Sequence, residues 1–241
     1  MTIANQEQAD HWNSEEASHW VTHQAAYDRM LAPFSDMVLA AAALRPRDRV
    51  LDVGCGCGAT TCAAAQVQLF GESSFDAVIS RFGIMFFADS VAAFANLRHA
   101  TRPGDRMAFA CWQDLTANQW LLVPGAAIAQ HVPLPDLGGP GAPGMFAFAD
   151  PGRIRTVLAG AGWHHIDIEP MRTPILVGGG GGMDETVEFL RTGSMGRTLL
   201  GGIDTQTSAR AVLAVRDALA PYRGDHGVRL EAAVWRVLAT R

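Results

Sequence analysis

Apolar residues between positions 11 and 44 recur every three or four residues, a spacing that predicts amphipathic helices. We expect two helices in this segment, with a break near Pro33, because proline disrupts a helix interior. After Pro46 the pattern changes to a short apolar run, 49–53, which stops at Gly54. Such a run, bounded by proline and glycine, predicts a buried strand.

The same alternation continues along the chain. Apolar runs at 75–80 and 106–112 predict two more strands, and helical patterns at 59–65 and 91–100 separate them. Strands that alternate with helices are typical of a parallel sheet covered on both faces. The remaining predicted features are a Pro/Gly-rich tract at 133–144, a helix at 151–161, a strand at 166–169, a glycine run at 178–182, a helix at 209–219 and a strand at 232–238.

Composition narrows the class of protein. The chain has 241 residues, a formal net charge of -5, 49% hydrophobic and 18% charged residues, as expected of one large globular domain. It has no clustered basic face, so we expect no nucleic-acid partner. It has no long apolar run and starts with a polar, acidic segment, so we expect no membrane partner and a cytoplasmic protein.

A glycine-rich loop follows the first predicted strand. Residues 52–58 have the form Asp-x-Gly-x-Gly-x-Gly, between a strand and a helix, where an open parallel sheet presents its ligand crevice. Glycine at positions 54 and 56 lets backbone approach a ligand closely. The spacing differs from the dinucleotide fingerprint, so a nicotinamide enzyme is a weaker alternative, as is a plain strand-helix turn.

Three segments carry a family resemblance: 50–58 (VLDVGCGCG), 75–80 (FDAVIS) and 97–105 (LRHATRPGD). In this order they resemble the first motif, the fourth strand and the turn before strand five of class I S-adenosylmethionine-dependent methyltransferases. The chain is most similar to the small-molecule branch typified by ubiquinone and menaquinone biosynthesis enzymes.

The resemblance implies an α/β, Rossmann-like, doubly wound fold with a mostly parallel seven-stranded sheet flanked by helices. It further implies a single methyltransferase domain over 1–241. Within that domain we expect a helical lid at 1–44, a cofactor-binding core at 45–112, and an insertion after strand five with the rest of the sheet at 113–241. The implied cofactor is S-adenosyl-L-methionine, with S-adenosyl-L-homocysteine as product.

The resemblance also implies which residues hold the cofactor. The glycines contact its methionine part, Tyr27 covers its carboxylate end, Ala65 and Gln66 face the adenine, and residues 80–82 pass near the sulfonium. The complete set of predicted cofactor residues is Tyr27, Asp52, Gly54, Cys55, Gly56, Ala65, Gln66, Ser80, Arg81 and Phe82.

One segment departs from the family pattern. Only 17 residues separate Gly58 from Asp76, whereas relatives place two strands and two helices there, including an acidic strand end for the ribose. Ala64 also replaces an expected Asp. Each strand-helix unit needs a couple of dozen residues, so we hypothesise that about 40 to 50 residues are missing from the sequence near 63–65. A genuine deletion is the competing explanation.

Candidate chemistry follows from the cofactor. A hydroxyl, phenol or acidic carbon acceptor would benefit from a general base, and His19 and His131 are the candidates. The largely apolar segment 113–150 predicts a pocket for a hydrophobic or aromatic metabolite. The alternative is a non-catalytic or repurposed member that binds the cofactor or a metabolite. The oligomeric state stays open, with a homodimer as one option.

Several residues have two interpretations. The aromatic residues Trp12, Trp20 and Tyr27 could form a lid or simply pack. The glycine run 178–182 could be a hinge, but a flexible connector is favoured. The cysteines at 55, 57 and 62 lack zinc spacing, so we expect small buried thiols and no metal site.

Overall fold

The computed structural model describes residue 10 and residues 15–55, 71–133 and 142–241. Two helices open this part of the chain, α1 (Glu15–Thr22) and α2 (Gln24–Ala42). The helices break at His23, so the predicted break near Pro33 is wrong. Pro33 lies inside α2, where one continuous apolar face, including Met30, Phe34 and Val38, is buried in the core. Burial of that face outweighs the single hydrogen bond that proline removes.

A mixed sheet forms the centre of the molecule. Its strands are β1 (Val50–Asp52), β2 (Phe75–Arg81), β3 (Thr101–Trp112), β4 (His164–Leu176), β5 (Arg223–Gly224) and β6 (Gly227–Thr240). The order across the sheet is β1-β2-β3-β6-β4, and β5 pairs with β6 alone. The flanking helices are α3 (Ser90–Ala100), α4 (Gln119–Ala129), α5 (Pro151–Gly160), α6 (Met183–Thr192), α7 (Ser194–Leu200) and α8 (Thr205–Leu219).

The α/β class with flanking helices is confirmed, but the sheet differs from the predicted one. The described residues contain six strands rather than seven, and the sheet is mixed rather than mostly parallel. The pairs β1·β2 and β2·β3 are parallel, whereas β6 runs antiparallel to β3, β4 and β5. The final strand enters the sheet between β3 and β4, so it makes antiparallel pairs on both sides.

β4 is longer than its predicted range of 166–169. The apolar pattern stops at Pro170 and is interrupted again at Pro174, yet the strand continues to Leu176 opposite Arg229. Proline is tolerated here because β4 is the last strand of the sheet, and an edge strand can lack a ladder donor.

The glycine run is packed rather than a flexible connector. Residues Val177–Gly179 form a short 3-10 turn against α2, and a Cβ added at Gly179 would lie 2.6 Å from the Ala26 carbonyl oxygen. The Arg29 Nε donates to the Gly179 carbonyl at 2.8 Å. This contact fixes the end of β4 against the amino-terminal helices. Of the helices described, none has both the length and the apolar character needed to cross a membrane.

Candidate active site

The three parallel strands end at one edge of the sheet and bring most of the predicted site together. Asp52 ends β1, Arg81 ends β2 and Trp112 ends β3. Backbone bonds tie these ends to one another, from Val53 N–H to the Ile79 carbonyl at 2.9 Å and from Phe82 N–H to the Ala110 carbonyl at 3.1 Å. The carboxyl ends of parallel strands are where open α/β sheets bind ligands.

Two glycines make the closest contact at this edge. Gly54 has φ of +82°, and a Cβ added there would lie 2.5 Å from the Gly83 Cα. A Cβ on Gly83 would lie 2.3 Å from the Val53 carbonyl oxygen. The buried Ser80 hydroxyl donates to the same oxygen at 2.6 Å and accepts from the Gly83 N–H at 3.1 Å. Backbone therefore packs on backbone, and the first glycine of the loop is held against the end of β2.

Sequence reasoning missed Gly83 and assigned Ser80 to the cofactor alone. Gly83 follows the predicted second strand, and a glycine directly after a buried strand in this fold indicates a close backbone approach. That signal was present in the sequence. The partner, Gly54, could not be identified without the three-dimensional structure, because the two glycines are 29 positions apart.

Charged groups line the same edge. Desolvation raises the pKa of the Asp52 carboxyl, and the positive charge of Arg81 opposes this rise. Arg81 also reaches across to α2, where its guanidinium donates to the Ser35 hydroxyl at 2.9 Å and lies 3.7 Å from the Asp28 carboxylate. The arrangement gives an acid beside the loop and a cation that links the loop to α2. Cys55, expected to be a buried thiol, is exposed because it lies just beyond the strand end.

Tyr27 belongs to an aromatic cluster between the amino-terminal helices and α6. Its ring stacks on Trp20 with centroids 3.7 Å apart and lies 5.0 Å from the Phe189 ring. His19 meets Tyr27 edge-on at 5.9 Å and the His23 ring at 4.1 Å. These contacts hold α1 on the body of the protein.

The two candidate bases lie in different environments. His19 is buried, and its Nε2 has no hydrogen-bond partner among the described residues. Burial, followed by the charges of His23 and Arg197, lowers the pKa of His19 to about 4. His131 is exposed in the turn after α4, roughly 16 Å along that helix axis from Trp120.

A second aromatic cluster, which we call the aromatic wall, stands at the strand ends. It consists of Phe34, Phe82, Trp112 and Trp120. Phe82 and Trp112 are stacked, with centroids 4.1 Å apart and planes 4° from parallel, and Phe34 packs edge-on against both. Phe34, Trp112 and Trp120 are buried and Phe82 is half-buried, so the Phe82 ring is the part of the wall that is accessible beside the glycine loop.

An open cavity of about 680 Å³ lies on a different face of α2 from the residues that contact Arg81. Its lining includes His23, Arg29, the glycine turn, Phe189 and three acids. The acids already have partners, since Asp184 pairs with Arg216, Glu188 pairs with Arg191, and Glu185 accepts from the Gly182 N–H. This charged lining contrasts with the apolar wall at the strand ends.

Some predicted site residues fall outside the described ranges. They are Gly56, Ala65 and Gln66, together with the segment 63–65 where the missing residues were placed, the predicted helix at 59–65, Cys57, Cys62 and Trp12. Within the described ranges, no three side chains of His, Cys, Asp or Glu come together as a metal-ligand set.

Comparison with known proteins identifies the architecture. No protein-family model and no curated protein matches the sequence. Among solved structures, a candidate methyltransferase from an antibiotic biosynthesis pathway of Anabaena variabilis superposes with a TM-score of 0.54 at 10% identity, over 87% of this chain and 97% of that one.

Two other solved structures show weaker likeness. A candidate methyltransferase from Bacillus halodurans has a TM-score of 0.47 at 10% identity, over 87% of this chain and 98% of that one. A Haemonchus contortus phosphoethanolamine N-methyltransferase, in complex with S-adenosylhomocysteine, has a TM-score of 0.44 at 15% identity, over 90% of this chain and 56% of that one. The Anabaena superposition shows that the chain shares the fold of a structure described as a methyltransferase.

Proposed function

We propose that this protein is an S-adenosylmethionine-dependent methyltransferase that acts on a small hydrophobic or aromatic metabolite. The observation that carries the proposal is the contact between Gly54 and Gly83 at the carboxyl ends of β1 and β2. It belongs to the Asp-x-Gly-x-Gly-x-Gly segment, which resembles the first motif of the family, and it lies at the edge where this fold binds ligands.

The residues at this edge fit the methionine part of the cofactor. Gly54 turns the chain with positive φ, so its backbone can face a ligand without a Cβ in the way. Asp52 and exposed Cys55 flank it, and the Asp52 carboxylate has the charge to pair with an ammonium group. Ser80, Arg81 and Phe82 bound the other side. Tyr27, Gly56, Ala65 and Gln66 complete the proposed cofactor set.

The protein's task in such a reaction is mainly alignment. When bound, S-adenosylmethionine supplies a methyl group already activated on a sulfonium. The chain must hold an acceptor atom in line with that methyl and exclude water. The ion pair between Arg81 and Asp28 connects the strand end to α2. The aromatic contacts of Tyr27 with Trp20 and Phe189 secure α1. We propose that these helices act as the lid.

A general base is the least constrained part of the proposal. The lowered pKa of His19 keeps its imidazole unprotonated near neutral pH, as a base requires, but it also weakens the drive to take a proton. His131 is exposed, so water competes for its ring. We propose His19 as the base only for acceptors that are acidic themselves, such as phenols.

The sequence and the aromatic side chains at the strand ends favour the small-molecule branch. At the end of β2 the sequence is Ser-Arg-Phe-Gly, whereas enzymes that methylate amino groups of nucleic-acid bases or glutamine commonly have Asn/Asp-Pro-Pro-aromatic there. Phe82, the half-buried member of the aromatic wall, then presents an apolar ring beside the loop. The non-catalytic alternative is favoured by one observation, Ala64 in place of the expected Asp beside the short segment.

Methyl transfer can be tested with the full chain and cofactor labelled on its methyl group. We expect label to appear in at least one member of a panel of phenols, quinols and polyketides, with S-adenosylhomocysteine formed in equal amount. Gly56→Val serves as the inactive control because a branched side chain there would keep the backbone of the loop from approaching the cofactor. Cofactor binding without transfer to any acceptor would favour the non-catalytic alternative.

A further inference from the structure

The indole of Trp120 is a buried donor without a use in the fold. Trp120 is 9% exposed, and its Nε1 has no hydrogen-bond partner among the described residues. Buried N–H groups are normally satisfied, because an unpaired one loses its bond to water and gains nothing. The indoles of Trp163 and Trp235 show the usual state, since Trp163 donates to the Phe94 carbonyl at 3.0 Å and Trp235 donates to the Ala149 carbonyl at 2.8 Å.

The unpaired donor stands next to the strand ends. The Trp120 ring lies 5.2 Å from the ring of Trp112, the last residue of β3. Trp112 in turn carries the Phe82 ring flat on its face. The donor therefore belongs to the aromatic wall, beside the loop to which the proposed function assigns the cofactor.

Phe82 is held in an unfavourable backbone conformation. Its φ is 68° and ψ is 4°, in the left-handed region that residues with a Cβ rarely adopt. The strain places its half-buried ring on Trp112, where Phe34 packs edge-on against it. Phe34, Trp112 and Trp120 are buried, so Phe82 is the one residue of the aromatic wall that solvent reaches, and its ring is the one that an incoming ligand would displace.

We infer that a planar aromatic acceptor binds on the face of Trp112, in the place that the Phe82 ring fills, and that an oxygen of the acceptor accepts the Trp120 indole N–H. This inference rests on the proposed function and deepens it, since it names phenols and related oxygenated aromatics as the acceptor class. Trp112 supplies the stacking surface, Trp120 distinguishes an oxygenated ring from a bare hydrocarbon, and Phe82 keeps water off the face when no acceptor is bound.

A pair of ligands tests the hydrogen bond. Binding of 2-naphthol and naphthalene to the full chain is followed by quenching of tryptophan fluorescence and by calorimetry, without cofactor. We expect 2-naphthol to bind about tenfold more tightly, because only its oxygen can accept the indole N–H. In Trp120→Phe this preference should fall to about onefold, while naphthalene binding changes little. Equal affinities in the unaltered protein, or no binding of either ligand, would overturn the inference.

A matched control comes from the other buried indole. Trp163→Phe also replaces a buried tryptophan, but Trp163 already donates to Phe94 and lies outside the aromatic wall. This variant should keep the tenfold preference. Loss of the preference in both variants would mean that it depends on general packing, which contradicts the assignment to Trp120.

Phe82→Gly tests separately whether the Phe82 ring occupies the binding place of the acceptor. Glycine adopts the left-handed backbone freely, so the variant frees the Trp112 face without strain. We expect 2-naphthol affinity to rise about threefold, because the ligand no longer competes with a stacked ring. A fall in affinity would contradict the inference. This variant and the ligand pair decide the matter if Trp120→Phe does not fold.

The outcomes for the two proposals are separable. If 2-naphthol shows the expected preference but no methyl is transferred to any acceptor, the aromatic site stands and the enzymatic function fails. If methyl is transferred to other acceptors and 2-naphthol shows no preference over naphthalene, only the inference about the acceptor site fails.

Discussion

At the residue scale, alanine variants at the contact between Gly54 and Gly83 measure two effects on stability separately, backbone strain and steric clash. Gly83→Ala adds a Cβ at 2.3 Å from the Val53 carbonyl oxygen. Because backbone cannot yield as a side chain does, we expect a loss of about 3 kcal/mol in the free energy of unfolding and loss of cofactor binding. Chemical denaturation followed by circular dichroism measures the first, and calorimetry with S-adenosylhomocysteine the second.

Gly104 provides the matched control. It has the same φ of +82° as Gly54, but a Cβ there meets nothing within 4 Å. Gly104→Ala should cost only the left-handed strain, about 1 kcal/mol, and leave cofactor binding unchanged. Gly54→Ala combines both penalties and should be the worst of the three. If all three variants lose the same stability, the backbone contact has no special role.

His19 gives the protein a pH dependence with a defined sign. Its pKa is about 4 in the folded protein and near 6.5 when unfolded, so between these values the unfolded chain binds more protons. Stability contributed by the neutral imidazole is complete above pH 6.5 and is lost as the pH falls towards 4. The full effect is at most about 3 kcal/mol.

Thermal melting between pH 7 and pH 5 tests this. In that window the carboxyls with lowered pKa, such as Asp48 and Glu188, stay ionised. The raised pKa of Asp52 acts in the opposite direction to His19, so the His19 contribution is the difference between the unaltered chain and His19→Gln. We expect the melting temperature to fall on acidification, and His19→Gln to flatten the slope. A slope unchanged in His19→Gln would show that this histidine does not titrate with unfolding.

Site residues that belong to local sequence motifs could be predicted, whereas those defined by contacts between separate elements could not. Asp52, Gly54, Ser80, Arg81 and Phe82 were placed by local motifs, and the structure brings them to one edge. The stacking of Trp112 and the unpaired indole of Trp120 could not be predicted, because they depend on how separate elements pack. Helical periodicity marks a residue as buried but does not name its partner.

At the scale of elements, the amino-terminal helices carry a prediction of their own. α1 is held by Trp20 on Tyr27 and by His19 against Phe189, contacts that side chains alone provide. If these helices act as the lid that we propose, they exclude water and complete the acceptor pocket. Removing residues 1–24 should then leave the sheet folded and S-adenosylhomocysteine binding weak, but abolish methyl transfer. Circular dichroism, calorimetry and the labelled transfer assay measure the three effects.

A point substitution tests the same helices more mildly than the deletion. Trp20→Ala keeps the chain length but removes the ring that stacks on Tyr27. It should lower transfer less than the deletion and keep cofactor binding. Full activity in both variants would mean that these aromatics only pack the helix and that His19 is not a base.

Elements were predicted best where the pattern was local. The runs at 75–80 and 106–112 lie within β2 and β3, and the helices at 91–100 and 151–161 appear as α3 and α5. The length of β4 and the position of the break between α1 and α2 differ from the prediction at prolines, which on average interrupt strands and helices. The prolines of β4 are tolerated because this strand lies at the edge of the sheet. Pro33 is tolerated because α2 buries a continuous apolar face.

At the scale of the whole molecule, the described sheet ends at β1. No strand pairs with the outer edge of β1 among residues 15–55, 71–133 and 142–241, and an unpaired edge is an unfavourable end for a sheet. The hypothesis of a missing segment near 63–65 would supply two further strands. That segment lies outside the described residues, so the structure leaves the hypothesis as a prediction.

Intact mass of the protein isolated from its native cells decides between the two explanations. A missing segment of 40 to 50 residues adds about 4 to 5 kDa to the 25.8 kDa of the present sequence. The added stretch should contain an acid at a strand end and resist proteolysis when cofactor is present, because a ligand stabilises the form that binds it. A native mass of 25.8 kDa would establish a genuine deletion.

The central claim is that the glycine loop after β1 binds S-adenosylmethionine, and one calorimetric titration tests it most directly. S-adenosylhomocysteine is titrated into the unaltered chain and into Gly56→Val, which adds a branched side chain at a glycine where the proposal requires backbone to approach the ligand closely. The account predicts one site per chain in the first protein and no binding in the folded variant. Unchanged affinity in Gly56→Val, or no binding by the unaltered chain, would contradict it.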